Sequence, residues 1–396
     1  MDIKTIFSLF LYIGTFIWGL YLDSSLCKKK SAKRRKVYQI WLYIFLCFGY
    51  MVGSDWRGYE LEYLAGSERY NTEPISSFFI QYFHNIIPDY WLFVGIMKCV
   101  YLWTVLFVIK KLTSFTSSTI SLLLNLMLMY MLISNPLRFM IAMIFINIAL
   151  YYFIDSVATH FNLKKVLFIA GLVVLSALAH NSCVLFFVIF PLLYFFRNIT
   201  KWNKVILFLA YSGLIILTMN IGAIDELKNY LNMYFMARGE FRDYSAYAAD
   251  EESISLVGNM LKILFFALVL LSRDKVLKAF TNFGGLCYSL TVLYFFLDRV
   301  LLVIPSGFRI VIPLLFFYAV YMVFIIKCNY KVGLIFVVYL LMAFTKMLWS
   351  THLFVPYSNS IYYIMTGHKS YDERNMYNYI EYRNRTGHNV ETETNN

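Results

Sequence analysis

The chain has 396 residues, 60% of them hydrophobic and only 15% charged. Soluble domains carry about 25% charged residues, and apolar runs of about 18 residues or more mark membrane spans. Such runs recur along this chain, which excludes a soluble fold around one core. The formal charge of +12 is concentrated, with Lys28, Lys29, Lys30, Lys33, Arg34, Arg35 and Lys36 crowding one loop between two apolar runs. A run of that kind orients a membrane protein by staying on the cytoplasmic side, so no nucleic-acid partner is expected.

Spans are expected at about 5–22, 37–53, 91–109, 119–134, 138–154, 166–180, 183–196, 205–222, 255–271, 281–297, 309–326 and 332–348. The first run has no basic segment before it and no small-residue cleavage site after it. It reads as a retained span rather than a signal peptide. The fold class is therefore all-α, a polytopic membrane helix bundle of about 12 transmembrane helices, within about 10–14. The transmembrane domain runs over 1–348, with outer loops at 54–90 and 223–254, and a tail follows over 349–396. The polar end of that tail, 391–396, reads as disordered.

The basic loop sets the first connection inside, and strict alternation follows. Each inside loop then carries at least two basic residues, as at Lys110 and Lys111 or Lys164 and Lys165. Both long loops, the N-terminus and the tail fall outside. Cys27 and Cys328 fall in inside loops, and Cys47, Cys99, Cys183 and Cys287 fall in spans. No disulfide framework is expected from that placement.

The first outer loop turns amphipathic. Ile75, Phe78, Phe79, Tyr82, Phe83, Ile86 and Ile87 lie on one helical face. Pro74 suits the start of this helix and Pro88 its end, giving an interfacial helix near 74–87. The second outer loop is rich in tyrosine and charge, including Tyr230, Tyr234, Arg238, Arg242 and Tyr244. Rings beside polar groups suit a sugar surface, and also a plain membrane-interface belt, which is commoner.

Charges at span ends are the candidate chemistry, because an arginine at the centre of a span costs about 2.5–3.5 kcal/mol. Arg138 starts one span and His180 ends the next, so the hairpin over 134–182 returns both to one membrane face. The plain readings are a snorkelling arginine and a hydrogen-bonded structural histidine. Arg309 starts a late span after Pro305-Ser-Gly, with Asp298-Arg299 ending the span before it. Asp55, Arg57 and Tyr59 follow the second span, and Glu73 precedes Pro74. Asp55, Glu73, Arg138, His180 and Arg309 all map to the outer face. Arginines there suit a pyrophosphate, and a histidine or carboxylate suits proton removal from a hydroxyl. A phosphate-cradling glycine loop, a His-Glu-x-x-His pair and a Gly-x-Ser-x-Gly elbow are all missing from the sequence.

The order of motifs resembles a known family. It comprises Gly53, Asp55 and Tyr59; Glu73-Pro74; Arg138 with Ala142; Ala177 to Ser182; Arg309; and Pro356-Tyr357. This resembles the EpsG-like branch of the Wzy-type O-antigen and exopolysaccharide polymerases. Phe139 stands where that family usually has glutamine after the arginine.

The resemblance implies a multi-pass protein of a bacterial inner membrane with its active site facing the periplasm. It implies a metal-independent membrane glycosyltransferase with no cofactor. The substrate would be an undecaprenyl-pyrophosphate-linked oligosaccharide, polymerised by moving the growing glycan onto a new lipid-linked repeat unit. Membrane lipid and a chain-length regulator are further candidate partners. Arg138, Arg309 and Arg299 would hold pyrophosphate. His180, Asp55 and Glu73 are the catalytic candidates, and Arg57, Tyr59, Arg238, Arg242 and Tyr357 the glycan-binding ones. The rival classes are a ligase, an O-acyltransferase and a lipid-linked oligosaccharide flippase.

Overall fold

The computed structural model describes residues 3–24, 32–53, 55–65, 73–134, 136–219, 226, 256–301, 307–350, 354, 357–374, 376 and 380. Among them the elements are α1 (Ile3–Leu22), α2 (Ala32–Leu42), β1 (Gly49–Tyr50), α3 (Trp56–Ala65), α4 (Pro74–Ile86) and α5 (Tyr90–Leu112). Then come α6 (Thr116–Leu123), α7 (Leu137–Ala158), α8 (Leu163–Ala179), α9 (Phe186–Phe196) and α10 (Lys204–Thr218). The last are α11 (Leu256–Ala279), α12 (Gly284–Val300), α13 (Phe308–Cys328), α14 (Tyr330–Ser350), β2 (Ser358–Asn359) and α15 (Ser360–Thr366). The chain divides into two compact units, Met1–Val184 with Leu334–Asn396, and Leu185–Gly333.

Among the described residues six helices are long and apolar enough to cross a membrane: Ile3–Leu22, Tyr90–Leu112, Thr116–Ile133, Leu137–Ala158, Arg309–Cys328 and Tyr330–Trp349. That is half of the twelve expected from sequence. Among the described residues the other expected spans are mostly helical, but several are short. The helices at 166–180 and 281–297 have 17 residues each, and those at 183–196 and 205–222 are also below full span length. The span expected at 37–53 is broken. After α2 the backbone loosens into a π-helical turn, Tyr43–Cys47, and then becomes β1.

In the first unit, ion pairs pin the end of the bundle where the basic loop lies. Asp23 is buried, pairs with Arg35 at 2.9 Å and accepts the Ser118 N–H at 2.9 Å. That carboxylate satisfies an open donor in the first turn of α6. Lys111 and Lys165 both reach Asp155, at 2.7 and 2.8 Å. The start of α7 and the end of α8 lie at the hairpin's other end, so Arg138 and His180 do return to one end.

The tail returns to that same unit. β2 pairs antiparallel with β1, Gly49 opposite Asn359 and Tyr50 opposite Ser358. Beyond α15, the Arg374 guanidinium pairs with Glu60 on α3, and the Trp91 indole donates to the same carboxylate at 3.1 Å. Both charged side chains are almost fully buried. Removing one partner of a buried pair leaves the other charge uncompensated, at about 3–5 kcal/mol. Arg374→Ala is therefore expected to lower the thermal midpoint in detergent markedly. The apolar double replacement Glu60→Leu/Arg374→Met is expected to recover most of the loss.

In the second unit, α13 is buried along almost its whole length. Tyr211 packs on Phe266 at 4.3 Å, and Phe266 on Phe295 at 5.2 Å, joining α10, α11 and α12. Lys262, a charge expected within a span, pairs with Asp298 at 2.7 Å.

Candidate active site

Pro74 opens α4, where its fixed φ is already helical and its missing N–H is not needed. Glu73 is thus the N-cap, yet its side chain makes no bond to the helix it caps. It turns instead onto the open end of the α7–α8 hairpin. Ser176 and Ala179 on α8 are small and fully buried, which permits close helix approach. Ser76 then donates to the Ala179 carbonyl at 2.6 Å. This bond satisfies one of the carbonyls that a helix C-terminus leaves open, and it seats the first turn of α4 beside His180.

The Glu73 carboxylate bridges the two charges of the hairpin. Its Oε2 accepts from Arg138 Nη1 at 2.6 Å. Its Oε1 lies 2.8 Å from His180 Nδ1 and accepts the Asn181 N–H at 3.2 Å. Arg138 Nε donates to the Tyr59 hydroxyl at 3.2 Å, and the guanidinium lies 5.7 Å from the Tyr59 ring centre. The Phe139 ring meets the imidazole edge-on at 5.5 Å. The residue that departs from the family pattern therefore forms an apolar wall against His180.

Burial alone would raise the Glu73 carboxyl's pKa. The hydrogen bond and charge of His180, then Arg138 and the Asn181 N–H, outweigh burial and hold it below the ordinary value. An ionised carboxylate only accepts, so the Nδ1 beside it carries the hydrogen. In the neutral ring the lone pair then belongs to Nε2. That atom is buried and has no hydrogen-bond partner among the described residues. Burial raises the Tyr59 phenol, and the neighbouring Arg138 only partly offsets it, so Tyr59 stays protonated.

The lowered carboxyl has a consequence for stability. A carboxyl with a depressed folded value stabilises above its unfolded value and loses that contribution as pH falls through the folded one. The wild-type thermal midpoint should therefore fall on acidification below the ordinary value of 4.5. The Glu73→Gln midpoint should fall less steeply over the same interval, as read by melting curves from pH 6 to about 3.

The other sequence candidates are distributed as follows. Asp55 precedes α3, its carbonyl accepts the Tyr59 N–H at 3.4 Å, and its charge acts on the Tyr59 phenol. Arg57 donates to the Gly53 carbonyl at 3.1 Å and stacks on Trp56. Tyr357 donates to the Phe45 carbonyl at 2.6 Å, with its ring against Tyr12 and Phe45. That makes it an anchor for the tail. Arg299 and Arg309 belong to the second unit. Arg299 is 1% exposed, and its Nε and Nη2 have no partner among the described residues. Arg309 stands in the first turn of α13. Arg238 and Arg242 lie outside the described residues.

Sequence reasoning missed the Glu60–Arg374 pair and its bearing on this site. Glu60 follows Tyr59 directly, and Tyr371 donates to the Arg57 carbonyl at 3.3 Å. The tail thus holds the helix that presents Tyr59 to Arg138. A glutamate and an arginine 314 positions apart leave no local signal.

Long apolar helices, with a buried carboxylate joining an arginine and a histidine at a hairpin end, define a polytopic membrane protein. The chain belongs to the EpsG family, whose model matches residues 37–359. That range includes Asp55, Glu73, Arg138, His180, Arg309 and Tyr357. No curated protein and no solved structure matches the chain.

Proposed function

We propose that this protein is a polysaccharide polymerase that extends a glycan carried on a polyprenyl pyrophosphate. Membership of the EpsG family points to a glycan-polymerase type of membrane protein. The observation that carries the finer reading is Glu73, which bonds Arg138 with one oxygen and His180 with the other.

In this reading the acceptor hydroxyl gives its proton to His180 Nε2. Its oxygen attacks the anomeric carbon of the donor sugar. The bond from that carbon to the pyrophosphate breaks, and the pyrophosphate leaves on its lipid with the electron pair. Arg138 meets the developing charge, because its planar fork stays charged and binds phosphate oxygens in pairs. Glu73 is a positioning residue: it sets the tautomer of His180 and orients Arg138. One base and one stabilised leaving group suffice for an inverting displacement, with no metal in the step. Tyr59 and the outer loop residues Arg57, Arg238 and Arg242 would face the glycan. Asp55 supports Tyr59, and Arg309 and Arg299 keep their proposed pyrophosphate role. The site faces the periplasm of a bacterial inner membrane, with the shorter apolar helices completing about twelve spans.

The test is genetic. A strain lacking the gene is complemented with wild type or Arg138→Lys, and its surface polysaccharide is separated by length. Wild type should restore a full ladder, and Arg138→Lys single repeat units or a few, because lysine keeps the charge and loses the fork. Complete loss of exported units points to a flippase. Free polymer of normal length points to a ligase, and normal polymer lacking acetyl groups to an acyltransferase.

A further inference from the structure

The first two helices leave a recess between them, within the first unit. Its volume is about 550 Å³, and it is lined by Trp18, Tyr21 and Leu22 of α1 and by Lys33, Arg34 and Val37 of α2. Those spacings put each set on one side of its helix. Two ties fix the walls. At the helix ends Arg35 pairs with the buried Asp23 at 2.9 Å. Deeper, the Trp18 ring meets the Tyr38 ring edge-on at 5.2 Å, and the Tyr38 hydroxyl donates to the Thr15 carbonyl at 3.2 Å. The Trp41 indole donates to the Thr15 hydroxyl at 2.9 Å. α1 is long and apolar enough to span a membrane, so its last turn reaches a membrane surface. Lys33 and Arg34 stand in the first turn of α2 at that level, and Trp18 and Val37 lie about one turn deeper. The recess is thus cationic at the surface and apolar below.

We propose that this recess binds an anionic glycerophospholipid of the surrounding membrane, its phosphate on Lys33 and Arg34 and the first methylenes of its chain against Trp18 and Val37. Four of the six lining side chains are apolar or aromatic, two are cations, and none among the described residues is a carboxylate. Asp23, the acid at this end of α1, is already engaged by Arg35 and the Ser118 N–H. A free phosphate would leave the apolar walls unused. A zwitterionic head would bring its own cation against two others. Basic pockets between spans at a membrane surface suit acidic lipid heads. Retention on one side of the membrane accounts for the seven basic residues of this loop wherever they fall. It does not call for an apolar-walled recess beneath two of them.

The test is native mass spectrometry of the full-length, delipidated protein with added phosphatidylglycerol, phosphatidylethanolamine or inorganic phosphate. One phosphatidylglycerol should be retained, about tenfold more tightly than phosphatidylethanolamine, and excess phosphate should not displace it. Lys33→Gln/Arg34→Gln should weaken that binding about thirtyfold. Five basic residues remain in the loop to hold its orientation. Lys164→Gln/Lys331→Gln removes two exposed charges elsewhere and should change it by less than about twofold. Val37→Trp keeps every charge and fills the recess; Val37 is 48% exposed, so the larger ring is accommodated by the fold. It should abolish the tight binding. Phosphatidylglycerol should also raise the thermal midpoint of the wild type and not that of Val37→Trp. Equal losses in the two double variants, or wild-type binding by Val37→Trp, would mean diffuse charge attraction and overturn the site. Displacement by phosphate, or equal retention of phosphatidylethanolamine, would overturn the anionic lipid as its occupant.

Discussion

Under the proposed polymerase mechanism, Glu73→Gln is expected to lower turnover by about 10³–10⁴-fold, the largest expected effect of any single change in this protein. The substitution keeps size and shape and removes the charge. Two functions are lost together. A neutral amide no longer requires the proton on His180 Nδ1, so the lone pair at Nε2 is no longer assured. Arg138 also loses its closest anion, now 2.6 Å away and buried, and its guanidinium is free to turn from the pyrophosphate. Glu73→Asp is expected to recover part of the loss, because it restores the charge one carbon short. A purely structural role predicts otherwise. Activity would then track the amount of folded protein, and kcat and KM per folded molecule would stay near wild type. The measurement is initial rate against substrate, normalised to monodisperse protein from size exclusion.

His180→Ala gives the second effect, a fall in kcat of about 10²–10⁴-fold with KM held within about twofold. The histidine is 15% exposed, on a helix end already tied by Ser76 and Ala179, so removing the ring leaves the hairpin end in place. Arg138 and its bond to Glu73 also remain, which is why binding is expected to persist. The pair should be strongly non-additive. If Glu73 acts through His180, Glu73→Gln/His180→Ala should be slower than the worse single variant by no more than about threefold. Multiplied losses would mean that the two residues work independently.

Much of this arrangement was legible in the chain. The amphipathic helix expected near 74–87 is α4, Pro74–Ile86, because seven apolar positions and two prolines all favour it. The return of Arg138 and His180 to one end follows from two helices and a short basic loop. The bridging role of Glu73 was not legible. It lies 65 positions from Arg138 and 107 from His180, and its place before Pro74 suits ordinary capping. The folding back of the tail was equally hidden, since a short β pair and contacts such as the Glu60–Arg374 ion pair join residues over 300 positions apart. The packing of Tyr357 on Tyr12 and Phe45 was hidden too, since it depends on contacts over 300 positions away. Only six of the expected spans are full-length apolar helices among the described residues, for a related reason. Apolar composition does not reveal where Tyr43–Cys47 loosens, or that α8 stops at 17 residues.

The most direct test of the central claim is polymerisation by purified protein. Wild type and His180→Ala are reconstituted in liposomes with the native pyrophosphate-linked repeat unit, and products are resolved by length. A ladder from wild type and unextended units from His180→Ala is the predicted result. A ladder of the same length and rate from His180→Ala, or no ladder from active-folded wild type, would contradict it.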